Sequence, residues 1–183
     1  MSGLMPSKPL ASLTKLNLGC GKKQFPDHVN VDLAASVGPD VVHDLDQYPY
    51  PFEDSCFDEV CVYDVVEHIE DMPAFMREIW RVCRPGALVR ITTPHFSNRN
   101  SYTDPTHRRH LAFFSWDYFT PGHPFNFYGS EGFEIHKRML IFETTLVNKL
   151  VHRLANRWPV GYEARWAWIF PAWYISVELV VRK

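Results

Sequence analysis

Two glycines at the end of an apolar run constrain this chain more than any other feature. The run Leu16-Asn17-Leu18 leads into Gly19-Cys20-Gly21, and a second apolar run, residues 29–31, ends in Asp32. In an open α/β sheet, ligands bind beyond the carboxyl ends of the parallel strands. Glycine there lets the backbone approach a ligand closely, and a carboxylate at the next strand end can accept hydrogen bonds from both hydroxyls of a ribose. The pattern therefore predicts a nucleoside-cofactor site.

Length and composition favour one soluble globular domain. The chain has 183 residues, of which 46% are hydrophobic and 22% are charged, values typical of such domains. A net charge of −2 gives no support for a nucleic-acid partner. Four cysteines without a Cys-x-x-Cys pair indicate no disulfide framework. Because the sequence shows neither a signal peptide nor a membrane-spanning stretch, we expect a cytoplasmic protein.

Apolar periodicity predicts an α/β chain. Apolar residues at helical spacing between Phe75 and Cys83 predict a helix that starts near Pro73 and ends at Arg84-Pro85-Gly86. Runs of apolar and β-branched residues predict seven strands, at residues 15–19, 28–33, 41–45, 57–64, 88–92, 133–142 and 174–181.

The first two connections between strands are too short for helices. Residues 22–28 contain Pro26, and residues 34–39 contain Gly38 and Pro39. A parallel crossover usually needs a dozen or more residues. We therefore expect loops or single turns in the first half of the sheet, with shortened crossover helices.

Several short motifs then follow one another in a specific order. They are Leu18-Gly19-Cys20-Gly21, Asp32, Asp44-Leu45, Pro51-Phe52, Ser55-Cys56-Phe57-Asp58, Asp64-Val65-Val66-Glu67-His68, Arg77-Glu78-Ile79 and Arg84-Pro85-Gly86-Ala87-Leu88. Together they resemble the class I S-adenosylmethionine-dependent methyltransferases, in particular the compact small-molecule group, over about residues 15–95. The resemblance implies a single-domain Rossmann-like sheet over residues 1–183, mostly parallel with an antiparallel C-terminal strand. Residues 14–95 would be the cofactor-binding half and residues 96–183 the substrate side.

S-adenosylmethionine is the cofactor that the resemblance implies. The contacts it implies are Asn17, Gly19, Cys20, Gly21, Asp32, Asp44, Leu45 and Asp64. Within that set, Asp32 would hold the ribose hydroxyls, Asp44 the adenine amine and Asp64 the methionine end. Asn17 stands where many members have an acid, and its amide would bond either a loop or the cofactor ammonium. A dinucleotide fingerprint is disfavoured, because Gln24 holds the place of its third glycine.

Acids and histidines after the fourth and fifth strands leave two chemical interpretations open. Asp64, Glu67 and His68 share one face of a helical turn by their spacing. In the first interpretation, the catalytic residues are His68, His107 and His110, with an imidazole as general base. In the second, Asp64, Glu67, His68 and His110, or His107 in its place, hold a divalent metal. The second is similar to an arrangement in some methyltransferases that act on vicinal hydroxyls.

The segment 145–173 combines an amphipathic helix with several tryptophans. Residues 145–158 carry an apolar stripe beside Lys149, Arg153 and Arg157. The stripe suits a cover for the sheet, a dimer surface, or a membrane surface that gives access to a lipid-linked substrate.

The function predicted from these features is methyl transfer from S-adenosylmethionine to a hydroxyl of a small molecule or sugar, or to an amine. The partner would then be a small-molecule substrate. Two alternatives stay open: a catalytically inactive cofactor-binding module that acts through protein partners, and an NAD(P)-dependent oxidoreductase on the same topology.

Overall fold

Seven strands form one sheet in the computed structural model, which describes residues 13–124 and 132–183. The strands are β1 (Lys15–Leu18), β2 (Val29–Asp32), β3 (Val41–Val42), β4 (Phe57–Tyr63), β5 (Cys83–Pro94), β6 (Gly132–Ile141) and β7 (Tyr174–Arg182). Their order across the sheet is β3-β2-β1-β4-β5-β7-β6. The third strand is shorter than the predicted residues 41–45, because the chain turns at residues 45–49 instead of continuing along β2.

The C-terminal strand runs against the rest of the sheet. Strands β1 to β5 pair in parallel, whereas β7 pairs antiparallel with both β5 and β6. Alternate β7 residues, from Ile175 to Val181, are fully buried, which gives the strand its period of two. The predicted fold class is confirmed: a mostly parallel sheet with an antiparallel C-terminal strand.

The first two connections contain no α-helix, as predicted. Turns and extended chain link β1 to β2, and a single 3₁₀ turn, Ala35–Val37, links β2 to β3. Side chains replace the missing helix. The buried Asn30 amide bonds both the N–H and the carbonyl of Phe25 and donates to Asp40. The proline-containing loop is therefore fastened to the sheet directly.

Helix α1 (Met72–Val82) covers the sheet after β4. The Asp71 side chain accepts from the Ala74 N–H at 2.9 Å, which satisfies a donor that the first turn leaves free. Pro73 stands in that first turn, as predicted. The helix ends at Val82, one residue short of the predicted Cys83 and just before Arg84-Pro85-Gly86, and β5 begins directly after it at Cys83. The Cys56 N–H donates to the Val82 carbonyl at this point. This hydrogen bond joins the end of the helix to the residues that precede β4, so the chain enters β5 without a loop.

The remaining helices lie on either side of β6 in sequence. They are α2 (Asn100–Thr103), α3 (Leu146–Arg157) and α4 (Pro159–Arg165), with a 3₁₀ segment at Phe113–Phe119. Thr145 caps α3 by accepting from the Asn148 N–H; α3 matches the predicted helix, whereas α4 was not predicted. No helix in the described ranges is long and apolar enough to cross a bilayer.

Candidate functional site

The turn after β1 touches the turn after β4 at Gly19. Gly19 has φ of +62°, and a Cβ built there would lie 2.3 Å from Cγ2 of Val65. A side chain is therefore excluded both by the backbone conformation and by the neighbour. Glycine allows the two turns to form one continuous wall at the carboxyl edge of the sheet.

The carboxylate of Asp32 is fixed by backbone donors on both sides. Its Oδ2 accepts from the Gly21 N–H at 2.7 Å, and its Oδ1 accepts from the Ala34 N–H at 2.9 Å. Each carboxylate oxygen has a further lone pair. Because Asp32 also lines a cavity, it can accept two additional hydrogen bonds from a bound ligand.

A cavity of about 580 Å³ lies above the ends of β1, β2 and β4, within the usual size of ligand sites. Leu45 is nearly buried and gives the cavity an apolar wall. Asp44 is held by the Asp46 N–H, which donates to its Oδ1 at 3.0 Å. The residues that line the cavity are Gly19, Asp32, Leu33, Asp44, Leu45, Asp46, Asp64, Val65, His68, Ile69, Pro105, Thr106 and Arg108. We call it the cofactor cavity.

Three of the residues predicted to contact the cofactor are not among those lining residues. Asn17 is buried, and its amide donates to the Lys23 carbonyl and to Asn30. It thus bonds the loop, one of the two roles expected for it. Cys20 is buried and its N–H bonds the Val31 carbonyl, while Gly21 supports Asp32. These three residues therefore support the residues that line the cavity and do not line it themselves.

Asp64 stands where the chain leaves β4. It has φ of +58°, a left-handed conformation that aspartate tolerates better than most residues. Its N–H bonds the Thr92 carbonyl of β5 at 3.0 Å, and the Tyr174 hydroxyl donates to its carboxylate. Burial raises the pKa of Asp64 above its ordinary value, because it removes water from the charged carboxylate. The hydrogen bond from Tyr174 acts in the opposite direction and is the smaller effect. The following residues form a hydrogen-bonded turn and not the predicted helical turn.

A second cavity, of about 560 Å³, adjoins the first. We call it the histidine cavity. It shares Asp64, His68 and Pro105 with the cofactor cavity. Its other lining residues are Glu67, Pro94, Asn100, Thr103, Asp104, His107 and Tyr174. The two spaces therefore meet at Asp64 and His68.

Glu67 is a buried acid with one unsatisfied oxygen. Its Oε2 accepts from the Thr93 hydroxyl at 3.0 Å, whereas Oε1 has no hydrogen-bond partner among the described residues. The nearest cationic candidate is His107, whose Nε2 lies 4.0 Å from Oε1. Burial raises the pKa of Glu67 to about 7, because desolvation penalises the charged carboxylate.

A chain of hydrogen bonds sets the tautomer of His68. The Thr106 hydroxyl donates to Asp104 at 2.7 Å and also lies 2.9 Å from Nδ1 of His68. A threonine hydroxyl has one proton to donate, so Nδ1 of His68 must be the donor to Thr106. Nε2 is left as the basic nitrogen. Burial, and next the neighbouring imidazole of His107, lower the pKa of His68, which favours the neutral form.

The structure separates the other two predicted catalytic histidines. His107 lines the histidine cavity, and its Nδ1 donates to the Ser101 carbonyl. His110 lines neither cavity: it bonds the Ser101 hydroxyl and stacks on Tyr102 at 4.1 Å between ring centroids. In the described residues, Glu67, His68 and His107 bring ligand atoms within 4.8 Å of one another. This group contains two members of the predicted metal set and His107, the alternative to His110, but not Asp64 or His110.

Sequence reasoning missed the residues that orient these groups. Asp104 and Thr106 form a turn in which the Thr106 N–H also bonds the Asp104 carboxylate. The Asp-Pro-Thr sequence ahead of His107 is a turn signal that points to this loop. Thr93 and Tyr174 lie in strands and carry no local signal, since only the pairing of β4, β5 and β7 brings them to the site.

Comparisons with known proteins agree with this architecture. A family model described as a methyltransferase domain matches residues 16–91. A Mycolicibacterium smegmatis protein named a probable S-adenosylmethionine-dependent methyltransferase is 30% identical over 116 residues, covering 52% of this chain and 45% of that protein. The chain thus spans less than half the length of this curated relative.

Solved structures share the fold at low sequence identity. An S-adenosylmethionine-dependent methyltransferase from Archaeoglobus fulgidus has a TM-score of 0.56 and 17% identity, over 93% of this chain and 87% of that one. A Haemonchus contortus N-methyltransferase, solved with phosphomonomethylethanolamine and S-adenosylhomocysteine, has a TM-score of 0.58 and 16% identity, over 98% of this chain and 50% of that one. Residues 16–91 are thus similar to a methyltransferase domain, and the chain shares the fold of solved S-adenosylmethionine-dependent methyltransferases.

Proposed function

We propose that the chain transfers the methyl group of S-adenosylmethionine to a hydroxyl of a small molecule or sugar, or to an amine. The observation that carries the proposal is the meeting of two cavities at Asp64 and His68. One is walled by acids at strand ends, and the other contains a histidine with a free basic nitrogen. When bound, the cofactor supplies an electrophilic methyl group on a sulfonium.

The first cavity fits a nucleoside cofactor. Because Gly19 has no Cβ, its turn packs directly against Val65, and both residues line the cavity that would receive the ligand. The Asp32 carboxylate keeps lone pairs for two ribose hydroxyls after its bonds to Gly21 and Ala34. Leu45 supplies an apolar surface for a ring, with Asp44 beside it to accept from an amine.

His68 is the residue best prepared to remove the acceptor's proton. In the proposed transfer, Nε2 of His68 would take the proton of the acceptor hydroxyl as the cofactor gives up its methyl group. Asp104 and Thr106 hold the ring in the tautomer that this step needs. Fixing the acceptor beside the methyl group supplies the other main contribution to rate.

A divalent cation bound by Glu67, His68 and His107 is a second candidate for activating the acceptor. The observation that favours it is the unpartnered Oε1 of the buried Glu67, close to His107. Both imidazoles donate through Nδ1, to Thr106 and Ser101, as metal-binding histidines commonly do. The candidates differ in measurement: a metal-dependent enzyme loses activity to a chelator and regains it with a divalent ion, whereas a histidine base is unaffected.

Calorimetric titration with S-adenosylmethionine tests the cofactor assignment. Removing the carboxylate in Asp32→Ala should weaken binding about 10- to 150-fold, because hydrogen bonds to a charged acceptor are lost. Asp27→Ala removes an exposed acid that bonds Lys15 and should leave the affinity unchanged. Equal affinities for wild type and Asp32→Ala would refute the assignment, and tight binding of NAD in its place would favour the oxidoreductase alternative.

Turnover against a panel of hydroxyl and amine metabolites then tests the reaction itself. Methylated product that disappears in His68→Ala supports methyl transfer. Cofactor binding without any product across the panel and in cell extract would favour the inactive module acting through protein partners.

A further inference from the structure

Helix α3 leaves the leucines of its apolar stripe in solvent. Leu146, Leu150 and Leu154 are 86%, 60% and 44% exposed, and the buried residue of the helix is Ala155. Val151 of the stripe packs against the core, and Asn156 bonds Leu140 of β6. The helix therefore covers part of the sheet, one of the roles expected for it, while its leucines stay in solvent. Amphipathic helices in soluble domains normally bury this face.

Aromatic residues extend the exposed apolar area beyond α3. Trp158 and Trp168 are 59% and 67% exposed, and Val160, Trp166, Ile169 and Trp173 are exposed as well. We call the exposed side chains of residues 146–173 the α3–α4 surface. Leu154, Trp158 and Trp166 line one groove and so lie together. A contiguous exposed apolar patch marks an interaction site more often than chance exposure.

Within the described part of the chain, no exposed Lys or Arg of the surface has an acidic partner. Lys149, Arg153, Arg157 and Arg165 are exposed, and none forms an ion pair with a described residue. The one acid within residues 145–173 is Glu163, which turns inward. The segment thus carries a charge of +3 in a chain whose net charge is −2.

The inward acid ties this surface to the rest of the molecule. Glu163 bonds Nε2 of His95 at 3.0 Å and accepts from the Phe113 N–H at 2.6 Å. The Trp173 carbonyl accepts from the His95 N–H. The carboxylate of Glu163 is therefore occupied by hydrogen bonds to His95 and Phe113 and does not pair with the exposed cations.

Two grooves flank α3 and differ in the charges that line them. One, of about 940 Å³, is lined by Lys149, Arg153 and Arg157, together with Glu143. The other, of about 410 Å³, is predominantly apolar and is lined by Val151, Ala155, Tyr162 and Phe170, among others. Both grooves include Leu154 and Trp158. A cationic and an apolar groove sharing one wall suit an amphiphile with an anionic head.

We propose that the α3–α4 surface docks on a membrane of anionic phospholipid. The leucines and tryptophans enter the boundary between headgroups and acyl chains, while Lys149, Arg153 and Arg157 meet lipid phosphates. Helices with this combination of Trp, Leu, Lys and Arg lie in the membrane interface, and each basic residue near an anionic surface adds to binding. A second copy of the chain fits less well, because a two-fold contact would place the cationic faces against each other.

Docking would place the histidine cavity near the bilayer. Trp173 belongs to the surface, and the next residue, Tyr174, lines that cavity. An acceptor carried on a lipid headgroup could then reach His68 from the membrane. This consequence rests on the proposed methyl transfer, whereas membrane docking itself does not.

Vesicle co-sedimentation of the full chain, without cofactor or substrate, tests the proposal. We expect the protein to sediment with vesicles of phosphatidylglycerol and phosphatidylcholine, and not with phosphatidylcholine alone. Raising the salt from roughly 0.05 to 0.5 M should release it, because screening weakens exposed charges. Tryptophan fluorescence should shift to shorter wavelength on binding, since the exposed rings enter an apolar phase.

Matched variants separate this surface from charge in general. Lys149→Glu/Arg153→Glu should weaken binding at least about tenfold, and Leu146→Gln/Leu150→Gln should also weaken it. Lys22→Glu/Lys137→Glu changes the net charge equally at exposed positions elsewhere and should retain more of the binding. All substituted positions are exposed, and circular dichroism verifies folding. The proposal is overturned if anionic vesicles fail to bind the wild type, if both charge variants weaken binding equally, or if the patch is buried in a dimer that ignores vesicles.

Discussion

The two cavities that meet at His68 are held together in different ways. In the cofactor cavity, Asp32 is fixed by backbone N–H groups of Gly21 and Ala34. In the histidine cavity, side chains fix side chains: Thr93 bonds Glu67 and Thr106 bonds His68. The first set connects neighbouring strand ends, whereas the second joins the turn after β4 to β5 and to the loop that follows it.

The difference teaches where each cavity should be sensitive. A cavity held by backbone donors depends on conformation, so backbone changes should disturb it most. A cavity held by side-chain relays depends on protonation, so changes of charge and pH should disturb it most. His68 lines both cavities, so a substitution of His68 tests the place where they meet.

The largest effect is expected for His68→Ala at that junction. Loss of the proton acceptor should lower kcat about 10²- to 10⁴-fold, while cofactor affinity changes far less. His136→Ala, at an exposed position on β6, is the control. Steady-state kinetics with an accepted substrate measure the effect, and turnover within about threefold of wild type would remove His68 from the chemistry.

Gly19→Ala examines the backbone-held cavity. A Cβ 2.3 Å from Val65 at φ of +62° should lower the free energy of unfolding by about 2–4 kcal/mol. Gly21→Ala is matched, because its φ is also positive but its Cβ would meet nothing within 4 Å. Urea denaturation compares the two. Equal losses would mean that contact with Val65 contributes nothing and that backbone conformation alone requires glycine.

Glu67→Gln examines the side-chain-held cavity through pH. Burial raises the pKa of Glu67 from 4.5 to about 7, so the folded state favours the protonated carboxyl. The stability that follows is fully present below pH 4.5 and is lost as pH rises through about 7. Glutamine mimics the protonated form, so the variant should exceed wild type in stability by up to about 3 kcal/mol at alkaline pH.

Urea denaturation with a chelator present, across pH, measures that difference. A variant less stable than wild type above pH 7 would show that the Glu67 carboxylate is stabilised in the folded protein, contrary to its buried and unpartnered Oε1.

Asp104→Asn should give the smallest effect. Thr106 donates to Asp104 and holds the pKa of its carboxyl low, and that negative charge raises the pKa of His68 against the dominant effect of burial. Asparagine keeps an acceptor for Thr106 but removes the charge. The acidic limb of the kcat profile, where protonated His68 stops acting as a base, should therefore move to lower pH, by about one unit or less. If the acidic limb stays in place or moves to higher pH, the charge of Asp104 does not raise the pKa of His68.

Most of the fold could be predicted because its signals are local. Apolar runs gave strands within a few residues of β1, β2, β4, β6 and β7, and the proline-containing connections indicated that no helix links β1 to β2. The start of β5 could not be predicted from Arg84-Pro85-Gly86. A proline and a glycine usually end regular structure, but Cys83 already pairs with Phe57 of β4, and Arg84-Pro85-Gly86 lies in an irregularity before pairing resumes at Leu88.

The site was predicted where residues lie at strand ends. Gly19, Asp32, Asp44, Leu45 and Asp64 all line the cofactor cavity. Three histidines were candidates, and sequence could not choose among them. His107 and His110 are close in the chain, yet the loop directs one toward Glu67 and stacks the other on Tyr102.

The sequence alone determined the sheet, its short crossovers and the acids at its carboxyl edge, because each follows from periodicity, proline and glycine within a few residues. The tertiary structure decided what those signals lack. It placed Thr106 against His68, buried Glu67 with one oxygen that has no partner among the described residues, and left the leucines of α3 in solvent. Each of these depends on contacts between segments far apart in the chain, which sequence spacing does not record.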